Sequence, residues 1–214
     1  FKEKIIASKV SGSDNGISFN RAEEVNFDFY RNAVLIADNN LVSPIADGAF
    51  SFYTYKLEGS FYDKNEKLIS KIKVTPKQTG GRVFKGFIYI VEDEWAIYGV
   101  DLIANGKQVG FPIIDELRFK QNYNYSAINK AWVKISQTID FKFGIFGFKV
   151  NGRFSAGYTN YNFKPSFSKK TFTKEILTFA EGAIEKGSDF WNQLRPVPLT
   201  SEEIKDYTLK DSIK

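Results

Sequence analysis

The chain has 214 residues, 43% hydrophobic and 16% aromatic with 21 Phe, and a formal net charge of +5. That content is ample for one large core and excludes global disorder. It holds no Cys, Met or His, which removes disulfides, thiol nucleophiles, sulfur ligands and the commonest general base and metal ligand. The Lys and Arg are dispersed, with no long run of like charge. Such a pattern makes nucleic-acid binding a weak inference and fits a solvated basic face near anionic lipid head groups at least as well, so no nucleic-acid partner is expected.

No apolar run reaches the ~18 residues of a spanning helix. Phe1-Lys2-Glu3-Lys4 is not a signal peptide, and the absence of Met suggests a processed or excised chain. Lys4 to Val10 reads as a short strand closed by the loop Ser11-Gly12-Ser13-Asp14-Asn15-Gly16. Val25 to Tyr30 reads as another, with Val25, Phe27 and Phe29 on one side. Both are expected to extend the main sheet at its edges. Ser43 to Ala49 fits a loop or a single helical turn.

From Phe50 to Phe163 the sequence reads as seven consecutive strands, because apolar residues recur with period two. The first sets Tyr53, Tyr55, Leu57 and Phe61 against Thr54, Lys56, Glu58 and Ser60. The second sets Leu68, Ile72 and Val74 against Lys67, Lys71 and Lys73, with Ile69 out of phase. The third carries Phe84, Gly86, Ile88 and Ile90, and the fourth Ala96, Tyr98, Val100 and Leu102. The reverse faces of these two are also apolar, as in central strands covered on both sides. The fifth, sixth and seventh put Leu117 to Tyr125, Val133 to Phe143 and Phe148 to Tyr158 on the apolar face in near-perfect alternation. A turn near Asn129 would bring Phe119 opposite Ile139, Tyr123 opposite Ile135 and Tyr125 opposite Val133. It would also pair Gln121 with Gln137, two amides that can satisfy each other inside an apolar face.

A seven-strand meander with one apolar face must pack on a second layer or curl around its own side chains. Few helical residues are available, so the expected fold is mainly β: a strongly curved antiparallel half-barrel over residues 1–163. A two-sheet sandwich is the alternative. Residues 164–214 form a connector with two short C-terminal helices. Ser188 caps the first, which holds Phe190, Trp191 and Leu194 and ends at Pro196. Thr200 and Glu203 make a capping box for the second, Ser201 to Ile213.

Six tyrosines, Tyr53, Tyr55, Tyr98, Tyr123, Tyr125 and Tyr158, fall on the inner face, where an open concavity could take an acyl chain or apolar peptide. The competing reading is an ordinary core. Glu92-Asp93-Glu94 and Asp115-Glu116 could bind a cation, but a charged turn and a solvated strand start explain them better. Asp101, on the face of Trp95 and Ile97, is expected to form an ion pair. Gly80-Gly81 is a plain loop. No catalytic residue, metal site or cofactor emerges.

Ser43-Pro44-Ile45-Ala46-Asp47, Tyr55-Lys56-Leu57-Glu58-Gly59, Phe84 to Ile90, Phe146 to Lys149 and Arg195-Pro196-Val197-Pro198-Leu199-Thr200 carry a likeness to a known family. From about Glu3 onward the chain resembles an uncharacterised outer-membrane family of the Bacteroidota. In that family a carboxypeptidase-regulatory-like domain precedes a β-rich periplasmic region and a membrane β-barrel, and this chain resembles the middle region. At the level of fold it is similar to LolA-type lipoprotein carriers. The resemblance implies structural roles for Ser43, Pro44, Arg195, Pro196 and Pro198, which fix chain entry into the sheet and exit from it, and supplies no catalytic residue. It also implies a place on the periplasmic side of the outer membrane. The function expected is a non-enzymatic module that binds a lipid or other hydrophobic ligand, binds an outer-membrane or periplasmic protein, or acts as a scaffold. A strand pair of a membrane barrel and, further off, a hydrolase using acidic residues are the alternatives.

Overall fold

The computed structural model describes residues 2–7, 25–36, 38–78, 80–145, 148–172, 174–194 and 199–212. Two compact units result, one of residues 26–161 and one of residues 1–25 with 162–214. The first 25 residues thus group with the C-terminal region, not with the sheet unit as expected from the sequence.

In the C-terminal unit, β1 (Glu3–Ile5) runs parallel to a short strand at Leu177–Phe179, so it does not extend the main sheet. The loop at 11–16 lies outside the described residues. Two helices follow, Ser188–Leu194 and Ser201–Ser212. The second carries the predicted capping box. Thr200 N–H donates to Glu203 Oε2 at 2.7 Å and Glu203 N–H to Thr200 Oγ1 at 3.3 Å.

In the larger unit, β2 (Ala33–Ile36) and β3 (Asn39–Val42) form a hairpin ahead of the meander. The meander is β4 (Tyr53–Tyr62), β5 (Leu68–Pro76), β6 (Lys85–Val91), β7 (Ala96–Ala104), β8 (Ile114–Ser126), β9 (Ala131–Ile145) and β10 (Phe148–Gly157). Each strand pairs antiparallel with its sequence neighbours, and the sheet stays open, with β4 and β10 as its ends. This is the mainly-β half-barrel class that alternation and turn chemistry predict.

One face is the core. Val74, Gly86, Leu102, Phe119, Ile139 and Phe154 lie in register across six strands, and Ile72, Ile88, Val100, Gln121, Gln137 and Ala156 form the next row. Gly86 sits at φ +138°, and a Cβ there would strike the Asp101 carbonyl oxygen. The segment expected to be a strand over Val25–Tyr30 is instead an irregular plug: residues 26–28 have no regular secondary structure and a turn follows. Phe27 and Phe29 from this plug meet Phe119 and Phe84 edge to face at 5.2 Å each, and Phe84 meets Phe119 at 5.9 Å. Such pairs add about 0.5–1.5 kcal/mol each beyond the area they bury. Val34, Ile36 and Leu41 of the hairpin are buried with them.

Four register shifts break the phase, one of them at the start of β8 between Ile114 and Glu116. A two-for-one bulge inverts the side-chain alternation beyond it. In β4 the shift between Leu57 and Gly59 places Phe61 opposite Ile69, and Phe61 meets the rings of Tyr89 and Tyr98. Leu57 and Phe61 therefore do not share a face. Ile69, the residue out of phase, is fully buried, and so is its partner Val91. Tyr98 is the extra residue of the β6–β7 bulge and Ile135 that of the β8–β9 bulge. The pairs Phe119–Ile139 and Gln121–Gln137 form as expected, but Tyr123 lies opposite Lys134 and Tyr125 opposite Trp132.

The reverse face of β6 and β7, expected to be covered, is half open. Phe87, Tyr89 and Ile103 are half-buried and Trp95 is 77% exposed. Charge dresses the face. Arg118 donates to Asp101 through two nitrogens at 2.6 and 2.7 Å, Arg153 pairs with Asp140 at 2.6 Å, and Lys71 stands 4.4 Å over the Phe87 ring.

The buried amide pair gives a direct test. Gln121 and Gln137 are 1% and 0% exposed, and Gln121 Nε2 donates to Gln137 Oε1 at 2.6 Å. Gln121→Leu or Gln137→Leu alone should each cost about 1–3 kcal/mol, because the remaining buried amide loses one of its hydrogen bonds. The double variant should cost clearly less than their sum in urea unfolding. Additive costs would show that the two amides act independently.

Candidate functional site

The six tyrosines predicted to line one cavity occupy three separate places. Tyr53 is buried and bridges backbone, its hydroxyl donating to Val42 O at 2.5 Å and accepting from Phe84 N–H at 3.0 Å. Tyr55 donates to Pro44 O at 2.7 Å and its burial pushes its hydroxyl up to about 12. Both act as ties. They anchor the segment before β4 to the sheet. Ser43, 0% exposed, adds a third tie by donating to Phe29 O at 2.6 Å, and Pro44 O is the acceptor of the Tyr55 hydroxyl. Arg195, Pro196 and Pro198 lie outside the described residues.

Tyr123 and Tyr158 belong to a second group, built around Lys134. The β8–β9 bulge turns Lys134 toward the core. Its ammonium donates to Phe27 O at 3.0 Å, Asn26 Oδ1 at 3.1 Å and Gln137 Oε1 at 3.4 Å, and lies 4.8 Å over the Tyr158 ring. Tyr123 donates to Gln121 Oε1 at 2.7 Å and meets Tyr30 edge to face at 5.9 Å. Tyr161 donates to Lys134 O at 2.6 Å. Burial raises the hydroxyl pKa of Tyr30, Tyr123 and Tyr158, and takes that of Tyr161 to about 12. Burial also pushes the Lys134 ammonium down to about 8, with the Asp28 carboxylate opposing. Sequence reasoning missed Lys134, since strict alternation put it on the solvent side. Its hydrogen bonds to Asn26 and Phe27 fasten the plug to the sheet, which makes it a clasp.

Tyr98 and Tyr125 belong to a third group, in which both meet Trp132 at 6.0 Å. Lys64, Asn65, Lys67, Glu94, Asn124, Tyr125, Ala127 and Trp132 line an open groove of about 490 Å³ here. Three turns build it: 63–67, 92–95 and the β8–β9 hairpin. Glu94 accepts from the Trp132 indole N–H at 2.6 Å and pairs with Lys67 at 2.6 Å, and these two partners hold its carboxyl below the usual range. Glu92 accepts from Ser70, and Glu116 pairs with Lys142 at 3.2 Å. Among the described residues no three acidic side chains gather as a metal site. Among the described residues Glu94 is the one carboxylate lining the groove, where a two-carboxylate hydrolase would need a pair.

The Lys134 clasp has a pH signature. An unfolded lysine holds its proton to about 10.5, whereas Lys134 releases it near 8 in the folded chain. Between those values the unfolded state binds more protons, so folding stability rises with pH. The surrounding tyrosines act with the opposite sign above about pH 10 and are common to both proteins compared. From pH 7 to 10 the wild type should gain about 1–2 kcal/mol relative to Lys134→Met, a range already discounted for partial solvent access. Urea unfolding at each pH measures it, and a constant difference between the two proteins would remove the buried-charge account.

Comparison with curated proteins and with solved structures finds no match to the chain. A family model matches residues 1–161, which includes every strand of the meander. The chain belongs to the family of unknown function DUF5686.

Proposed function

We propose that this chain is a non-enzymatic module on the periplasmic side of an outer-membrane protein, where it holds a protein partner or serves as a scaffold. The observation that carries this is the filled inner face. Phe27, Phe29, Phe84, Phe119 and Leu41 are 9% exposed or less, and they occupy the place where a LolA-type carrier would need room for an acyl chain. The half-barrel form is therefore compatible with such carriers while the interior is not suited to their cargo.

A partner reading draws support from β4. The bonds Lys77 N–H to Phe52 O and Asp63 N–H to Lys67 O set the alternation of the β4–β5 ladder. The backbone groups of Leu57, Ser60 and Tyr62 consequently point away from β5, at the open end of the sheet. Leu57, Phe61 and Tyr62 are 61%, 41% and 71% exposed beside them. The barrel alternative fares worse. Strands that met lipid would carry an apolar outer band, and β7 to β10 present Asp101–Arg118 and Asp140–Arg153 instead.

Native mass spectrometry of the chain purified from membranes, followed by organic extraction, tests the choice. The expected result is a mass without lipid, no binding of hydrophobic probes, and capture of a protein by a photo-crosslinker placed at Tyr62 but not at Lys120. A stoichiometric co-purified lipid would overturn the filled-core reading and restore a carrier.

A further inference from the structure

The groove at Trp132 has a chemistry that neither a scaffold nor a protein-docking edge requires. Its floor and walls are aromatic, with the Tyr125 and Trp132 rings 6.0 Å apart at 61° and Tyr98 behind Trp132 at 6.0 Å. The Trp132 ring is fixed in place, because its indole N–H is spent on Glu94 and Glu94 is spent on Lys67. A bound ring face of this kind costs little further side-chain entropy on binding. Around it stand polar groups with no hydrogen-bond partner among the described residues: the Lys64 ammonium, the Asn124 amide and the Tyr125 hydroxyl.

We propose that this groove binds a carbohydrate, with Trp132 and Tyr125 as the stacking platform and Asn124, Lys64 and the Tyr125 hydroxyl as hydrogen-bonding groups. A sugar ring offers a face of C–H groups flanked by hydroxyls that both donate and accept, which is the complement of an aromatic platform rimmed by an amide, a phenol and an ammonium. An acyl chain would leave the rim groups desolvated and unpaired. A quaternary ammonium ligand would meet two lysines against one carboxylate. Lys67 is paired with Glu94, which leaves Lys64, beside the Asp63 carboxylate but in no ion pair with it among the described residues, as the ammonium open to a ligand. It sets the preference for sugars that carry a carboxylate, such as uronic acids, over neutral ones. The site needs no catalytic carboxylate and stands whether or not the β4 edge takes a partner.

Isothermal titration of the purified chain against soluble oligosaccharides tests the site. The panel holds gluco-, manno-, N-acetylglucosamine- and galacturonic-acid-based hexamers. At least one acidic member should bind, with Trp132 fluorescence changing on saturation. Trp132→Ala should weaken binding about tenfold or more, as loss of a stacked ring implies. Asn124→Ala should weaken it about threefold to tenfold with one hydrogen bond removed. Lys64→Met should level acidic and neutral sugars, and Leu35→Ala, exposed on β2 and outside the three turns, should change nothing. Because Trp132→Ala also frees Glu94, Trp132→Phe serves as the second variant. It keeps a ring and should retain more affinity than the alanine. No binding by any panel member, or binding that Trp132→Ala and Asn124→Ala leave untouched, overturns the proposal.

Discussion

A seven-strand meander with one apolar face has to bury that face, and everything in the larger unit follows from how it does so. Among the described residues of that unit there is no α-helix to cover the core rows. The chain covers them with its own preceding segment, putting Phe27 and Phe29 onto Phe84 and Phe119 and the β2–β3 hairpin beside them. The plug brings a penalty, because residues 26–30 form no ladder and must find partners for their backbone groups elsewhere. Phe27 O accepts from Gln121 and Lys134, and Phe29 O accepts from Ser43. The buried amides and the buried lysine are thus consequences of plugging a sheet with irregular chain. Their chemistry resembles that of an active site, yet each group is committed to holding the plug.

The same geometry separates what the sequence discloses from what it hides. Period two locates all seven strands and their order, and the register from Phe119–Ile139 to Gln121–Gln137 follows from counting back from one turn. The Thr200–Glu203 box is legible because it is local. Bulges are not local in this sense. Whether Glu58, Tyr98 or Ile135 takes the extra place depends on the twist that neighbouring strands demand, and nothing in the alternation marks it. Each bulge then moves every later side chain to the other face. Phe61, Tyr98 and Lys134 were all misplaced by one phase error apiece, and the tyrosines that seemed to share a cavity parted into three groups.

The role of Val25–Tyr30 was hidden for a different reason. Its alternation of Val25, Phe27 and Phe29 is that of a strand, and an isolated segment with those residues would favour one. Tertiary context overrides the preference, because a ring pointed at Phe119 gains more from edge-to-face packing and burial than an edge ladder would return.

Bulges and strained turns also explain why the groove lies where it does. Glu66, Asp93, Trp95 and Lys130 have positive φ, and all four sit in the three turns that meet at one end of the sheet. Two bulges of the sheet, at Tyr98 and Ile135, fall near the same end. A regular meander would close that end with parallel rows and flat hairpins. Here the shifted registers rotate Tyr125 and Trp132 into a pair opposite each other and bring Glu94 within reach of both Lys67 and the indole. Backbone in sparsely populated conformations persists where surrounding contacts hold it. The filled inner face and the open groove are therefore two results of one register pattern: where the alternation runs true the sheet packs on its plug, and where it breaks the sheet turns aromatic and polar side chains out to solvent together.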